Sequence, residues 1–174
     1  MAEAEQISPS PVEQTNEQRS DERIVVIALD GSIHSDFAFE WYLVNCRRPY
    51  DNVTIVTVFD RNSGAPVYGS NESDTAEMTK QYQSAIAIHK LQSEAFQEKL
   101  NKAGIKGEVV VYAGKPGEVV VNVAQDKKAH LIICGSRGQG VLRRTIMGSI
   151  SSYIVHNSTL PVIVCRNKSF PDST

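Results

Sequence analysis

No apolar run in the chain reaches about 18 residues, the least that spans a membrane as a helix. The first residues, "MAEAEQISPSPVEQTNEQRSDE", lack both the basic start and the apolar stretch of a secretory signal. A cytoplasmic protein that does not engage a membrane is the expectation. Cysteine is sparse: Cys46, Cys134 and Cys165 stand far apart with no C-x-x-C pair. Their odd number and spacing argue against a disulfide framework. Their apolar surroundings read as small buried hydrophobes rather than redox or metal groups. His34, His89, His130 and His156 include no pair at metal-ligand spacing. Lysine and arginine form no dense cluster, which argues against a nucleic-acid platform. A G-x-S-x-G elbow is missing, and no Ser/His/Asp set is justified by spacing.

What is present suits one globular domain. The chain has 174 residues, with 41% hydrophobic and 22% charged, ordinary values for a soluble core. Its charge is uneven. Residues 1–22 hold six acids against Arg19 alone, which is −5 of a total of −2 and leaves the rest at +3. Residues 1–21 are polar and aperiodic and read as a disordered acidic tail. Residues 22–168 read as the domain, and 169–174 as a short tail. A mildly basic body fits a small anionic ligand.

Hydrophobic patterning alternates between two periods. "RIVVIALD" (23–30), "NVTIVTVFD" (52–60), "GEVVVYAG" (107–114), "HLIICG" (130–135) and "LPVIVCR" (160–166) read as strands, several of them apolar on both faces as in a parallel sheet. Between them, residues 35–49 carry Phe37, Trp41 and Val44 at helical spacing, with Pro49 as the stop. A helix over about 75–102 follows Met78, Tyr82, Ala85, Ile88, Leu91 and Ala95. Residues 61–74 have loop composition. The valines of 117–130 favour strand by propensity. However, Val119, Val120, Val123 and Ala124 share a helical face, and a parallel crossover needs a helix-sized link. A last helix covers 146–158. The resulting fold is α/β, a five-stranded parallel sheet with helices on both faces, Rossmann-like and doubly wound. Ligands in such sheets bind beyond the carboxyl ends of the strands, here Asp30, Phe59-Asp60, Gly114 and Gly135.

The segment "LIICGSRGQGVLRRTIMGS" (131–149) falls at one of those ends. It has no G-x-x-x-x-G-K-[ST], so it is not a P-loop, and its glycines do not follow the first strand as a dinucleotide fingerprint requires. Gly135 and Gly138 bracket a turn, and nine residues later Gly148-Ser149 opens a helix. Glycines let a phosphate approach bare amides, and a helix N-terminus adds unsatisfied N–H groups and a positive dipole end. Arg143 and Arg144 lie between; they could cover phosphates or simply solvate a loop. Asp30 is the carboxylate best placed to hold Mg²⁺ or orient water, although a carboxylate at this point is equally a helix cap.

"GSRG", nine residues and "GS" resemble the glycine pattern of the nucleotide-binding branch of the universal stress protein family. "VIALDGS", "VTIVTVFD", "GKPGEVVVNVA" and "STLPVIVCR" extend the likeness over about residues 22–168. The resemblance implies an ATP- or AMP-binding module of stress response or signalling. It also implies a homodimer, for which the last strand, 160–166, is a candidate edge. Carried over by position, it implies Ala28 as floor, Asp30 at the ribose or phosphates, Val58 offering backbone groups to adenine, and Cys134 and Gly135 beside the ribose. Arg137, Gly138, Gly148, Ser149 and Ile150 would surround the phosphates. Ala28 stands where some relatives have proline, and Arg137 where histidine is common. Three functions remain open at this point: a binding module with little catalysis, a slow Mg²⁺-dependent ATPase using Asp30, and an interaction protein with an empty pocket.

Overall fold

A computed structural model describes residues 22–59, 72–138 and 147–167, with side chains left out at 72–82, 85 and 86. Both tails, most of the 61–74 loop, Arg143, Arg144 and the side chains of Met78, Tyr82 and Ala85 lie outside the described residues. The elements alternate as β1 (Arg23–Ala28), α1 (Ile33–Asn45), β2 (Asp51–Phe59), α2 (Glu72–Lys102), β3 (Lys106–Ala113), α3 (Pro116–Asp126), β4 (Leu131–Gly135), α4 (Ser149–Asn157) and β5 (Val162–Cys165). All four strand pairings are parallel. The strand order is β3-β2-β1-β4-β5, so the expected α/β architecture is found.

Strand alternation sends successive side chains to opposite faces, and two cores result. On one face Val25, Ile27 and Leu29 meet Ala38, Phe39 and Tyr42 of α1 and Phe96 and Leu100 of α2. On the other, Val26 and Val56 meet Val120, Val123 and Ala124 of α3 and Ile154 of α4. The valine-rich segment is indeed helical. Pro116 sits in its first turn, where a missing N–H costs nothing, and Gly117, Val120, Val121, Val123 and Ala124 form its buried face. At Gly117 an added Cβ would come within 2.7 Å of the Tyr153 ring, so a bare backbone there lets α4 close on α3.

Two helices bury faces shifted from the stripes their spacing marks, with Phe37 and Trp41 of α1 packing against the first core only partly buried. In α1 the buried positions are Ser35, Ala38, Phe39 and Tyr42, and Val44 is 82% exposed. Small residues at 35 and 38 let the helix lie close on the sheet, which turns Val44 outward. The helix ends at Asn45, whose carbonyl would need an N–H from Pro49, and the Cys46 carbonyl beyond it accepts from the Arg23 guanidinium at 2.7 Å. In α2, Ile88 and Leu91 are about two-thirds exposed at 64% and 67%, and the helix anchors through Phe96 and Leu100 instead.

At the amino-terminal end of the sheet Asp51 is buried and fully engaged. It takes two bonds of 2.7 Å from Arg23, one of 2.8 Å from the Tyr42 hydroxyl and one of 2.9 Å from the Arg48 amide. Burial opposes its charge, but these donors outweigh burial and hold its carboxyl below the usual 3.8. Burial, then Asp51 itself, pushes the Tyr42 hydroxyl up. Removing one member of a buried pair leaves the other uncompensated. Asp51→Asn should therefore cost about 3 kcal/mol at pH 7 in denaturant unfolding. A depressed carboxyl contributes stability above its unfolded value and loses it as pH falls through the folded one. The gap between wild type and Asp51→Asn should accordingly stay constant down to about pH 5 and close below 3.8.

Candidate functional site

The strand order reverses around β1, with β2 on one side and β4 on the other. Their diverging carboxyl ends leave a crevice there. The chain leaves β1 through Leu29 and Asp30, turns at Gly31 with φ 78, and enters α1. That positive φ suits glycine alone at no steric cost. Ser32 is the helix cap, its hydroxyl accepting from the Ser35 amide at 3.2 Å. Asp30 is therefore not the cap. One of its oxygens accepts from the Ser32 amide at 2.9 Å and pins the turn. The Asp30 carbonyl accepts from Gln92 of α2 at 3.1 Å.

The glycines allow β4 and its following turn to approach this strand end. A Cβ at Gly135 would lie 2.7 Å from the His34 carbonyl oxygen. A Cβ at Gly138 would lie 2.6 Å from the second Asp30 oxygen. The Gly148 amide donates to the Ser136 carbonyl at 2.7 Å and ties the start of α4 to the same turn. Gly148 is the N-cap of α4, with no side-chain cap bond and no acid in the first turn. Among the described residues, no side chain caps the first N–H groups of α4, in contrast to α1.

These elements enclose a cleft of about 430 Å³, within the range of small-molecule sites. Ala28, Asp30, Val58, Cys134, Gly135, Arg137, Gly138, Gly148, Ser149 and Ile150, the ten residues singled out from sequence, all line it. So do Phe59, placed there as a strand end, and Thr57, His89 and Pro116, which sequence reading did not nominate. His89 is mid-helix in α2, and its ring stacks on Phe59. His130 and His156 serve the backbone: His130 Nδ1 accepts from the Ile24 amide, and His156 Nδ1 bonds the Ser152 carbonyl. Asp30 is the sole carboxylate among the described residues lining the cleft. No group of three or more His, Cys, Asp or Glu able to hold a metal occurs among the described residues. No described helix is long and apolar enough to cross a membrane.

This is a doubly wound α/β domain with its crevice at the reversal of strand order, the place where sheets of this architecture hold ligands. The chain itself belongs to the universal stress protein family, whose profile matches residues 22–166. A Staphylococcus saprophyticus relative assigned to the same family is 28% identical over 150 residues, covering 85% of this chain and 86% of its own. Among solved structures, the universal stress protein UspA from Lactobacillus plantarum superposes with a TM-score of 0.67 at 21% identity, over 83% of this chain and 97% of that one. An Arabidopsis thaliana family protein with AMP bound superposes at 0.56 with 17% identity, over 84% and 94%. At such identities the likeness to these two structures is one of fold.

The thiols follow burial. Cys134 is buried in the cleft wall, and desolvation, with Cys165 nearby, pushes it up to about 12. Burial pushes Cys165 up to about 11. Cys46 is only half-buried, unlike the fully buried site its sequence context suggests. A thiolate-seeking disulfide reagent at pH 8 should label Cys46 in the native protein and reach Cys134 and Cys165 only after denaturant is added. Rapid native labelling at Cys134 would contradict this account of the wall.

Proposed function

We propose that the cleft binds an adenine nucleotide, AMP or ATP, and that the chain acts as a nucleotide-binding module in stress response or signalling with little catalysis. One observation carries this reading: an uncapped helix start and two close-approach glycines border the same cleft as the apolar end of β2. The first suits phosphates and the second a flat base. Bare amides and a positive dipole end attract an anion at the glycine side. Arg137 lines that side and adds positive charge. Val58 and Phe59 give the opposite side an apolar wall. The AMP held by the Arabidopsis relative supports the same assignment. Asp30 would be the residue to meet Mg²⁺ accompanying ATP.

Catalysis is expected to be weak. Fast phosphoryl transfer needs a held metal, an oriented water and a cation at the developing charge. Backbone amides bind ground and transition states about equally, which does not raise turnover. Titration calorimetry with AMP and ATP tests binding directly. Gly138→Val, kept only if its circular dichroism is native, should weaken affinity about tenfold or more, because its side chain displaces Asp30 and covers the amides. Equal affinities would overturn the assignment. Phosphate release with Mg²⁺ should stay well below about 1 per second. Faster turnover lost in Asp30→Asn would make the chain an ATPase.

We also propose a homodimer through residues 160–166. β5 is an edge strand. The Pro161 and Cys165 carbonyls face β4, so alternation turns the backbone groups of Val162 and Val164 outward. Such an edge invites a second copy. Both valine side chains pack on the second core, so lysine there would disturb the fold itself. Val164→Pro removes an outward N–H, a change that edge strands tolerate. It should yield monomers in sedimentation, whereas wild type at tens of micromolar, about the range of modest affinity, should sediment as a dimer.

A further inference from the structure

Among the described residues, two buried side-chain polar atoms have no hydrogen-bond partner: Thr57 Oγ1 and His89 Nδ1. Native proteins hold few such atoms, because each gives up its water without replacement. Accidental packing faults have no reason to coincide. These two residues come from different elements, β2 and α2, and both line the cleft described above.

Their surroundings fix where they act. Thr57 is 1% exposed and immediately precedes Val58. Alternation along β2 puts it on the same face as Val53 and Ile55, beneath α1 and α2. The His89 ring is held by Phe59, with centroids 5.2 Å apart and planes 26° from parallel. One turn further along α2, Gln92 bonds the Asp30 carbonyl and anchors the helix to the cleft floor. The pair therefore belongs to the β2 side, away from the glycines and the start of α4.

A hydroxyl donates one bond and accepts others, and a neutral imidazole nitrogen does either according to tautomer. Two such groups beside an apolar wall match the polar edge of an aromatic base, which carries donors and acceptors side by side. Both could also donate to a phosphate, but they lie on the β2 side, away from the glycines and the start of α4. We infer that Thr57 Oγ1 and His89 Nδ1 read the base of the bound nucleotide and set its preference for adenine. The inference rests on the nucleotide-binding reading above and adds specificity-determining residues to it. The glycine side holds any nucleotide; these two side chains choose among bases.

The test uses the full chain stripped of nucleotide, with Thr57→Val and His89→Phe. Valine keeps the threonine shape without its hydroxyl, and phenylalanine keeps the stack on Phe59 without the nitrogen. AMP and IMP, which differ at the six-position of the purine, are the probes. Each variant should bind AMP about tenfold more weakly and lose most of the preference for AMP over IMP. Nucleotide-free Thr57→Val should melt about 2–8 °C higher than wild type, since an unmet polar group has gone. Higher stability with weaker binding separates ligand contact from a structural role, whose loss would lower both. The variants are read independently, so one that fails to fold leaves the other to decide. If folded variants keep wild-type AMP affinity and AMP-to-IMP ratio, the inference is overturned while nucleotide binding stands. If wild type binds neither nucleotide, both fall.

Discussion

The Asp30 carboxylate stands where three turns of backbone meet, and the cleft exists because they meet without side chains between them. One oxygen holds the Ser32 amide and so fixes how α1 leaves β1. The other occupies the space that a side chain at residue 138 would need. A side chain at 135 would strike the backbone of His34 at 2.7 Å. Gly135 and Gly138 thus set how closely the β4 turn approaches the start of α1. That approach also brings the start of α4 to the same place, because Gly148 is bonded to Ser136 of the turn. Gln92 adds α2 from the other side. The cleft floor is therefore backbone and one carboxylate, supported by two cores that lie beneath it.

The electrostatics follow from which helix start is capped. α1 begins with a serine cap and Asp36 in its first turn, so its donors and dipole are already answered within the chain. α4 begins at a glycine with neither. Burial keeps Cys134 a neutral thiol, so the wall next to Gly135 adds no negative charge. Asp30 is the lone carboxylate of the described lining, and it is turned into the glycine approach. Among the described residues, the side of the cleft toward α4 is consequently the part that offers helix-start donors with no side-chain cap and no acid beside them.

The fold was legible in the sequence because strands buried on both faces leave continuous Val/Ile runs, and five of them separated by helix-length segments admit few topologies. The glycine side of the cleft was legible because backbone approach constrains residue type at fixed spacing. Packing faces were less so. Phe37, Trp41 and Val44 mark a helix, but the face that packs is decided by Ser35 and Ala38, whose smallness matters only against a particular sheet. Ile88 and Leu91 have the spacing of a core stripe and are largely exposed. The partners of Asp51 come from positions as far away as Arg23, and no local pattern announces them. Thr57 reads as ordinary strand composition, and His89 as an isolated histidine. Only the fold brings them to one cavity.

The two sides of the cleft are consequently built from different material. Toward α4 the donors are main-chain amides, whose number and direction are set by turn geometry and by the absence of Cβ atoms. No side-chain exchange elsewhere retunes them without moving the turn, and they bind charge without regard to what carries it. Toward β2 the polar groups are side chains on a rigid strand and a stacked ring. They can be exchanged for isosteres without moving the sheet, because Thr57 contributes volume to the core whether or not its hydroxyl is met. On the proposed nucleotide reading, retention of the general ligand class would depend on the backbone, and choice within that class on Thr57 and His89. The cost of this division lies in two polar groups that, among the described residues, are buried without partners. Under the proposed reading, a bound base that satisfied them would remove that cost, so occupancy and stability would rise together by linkage.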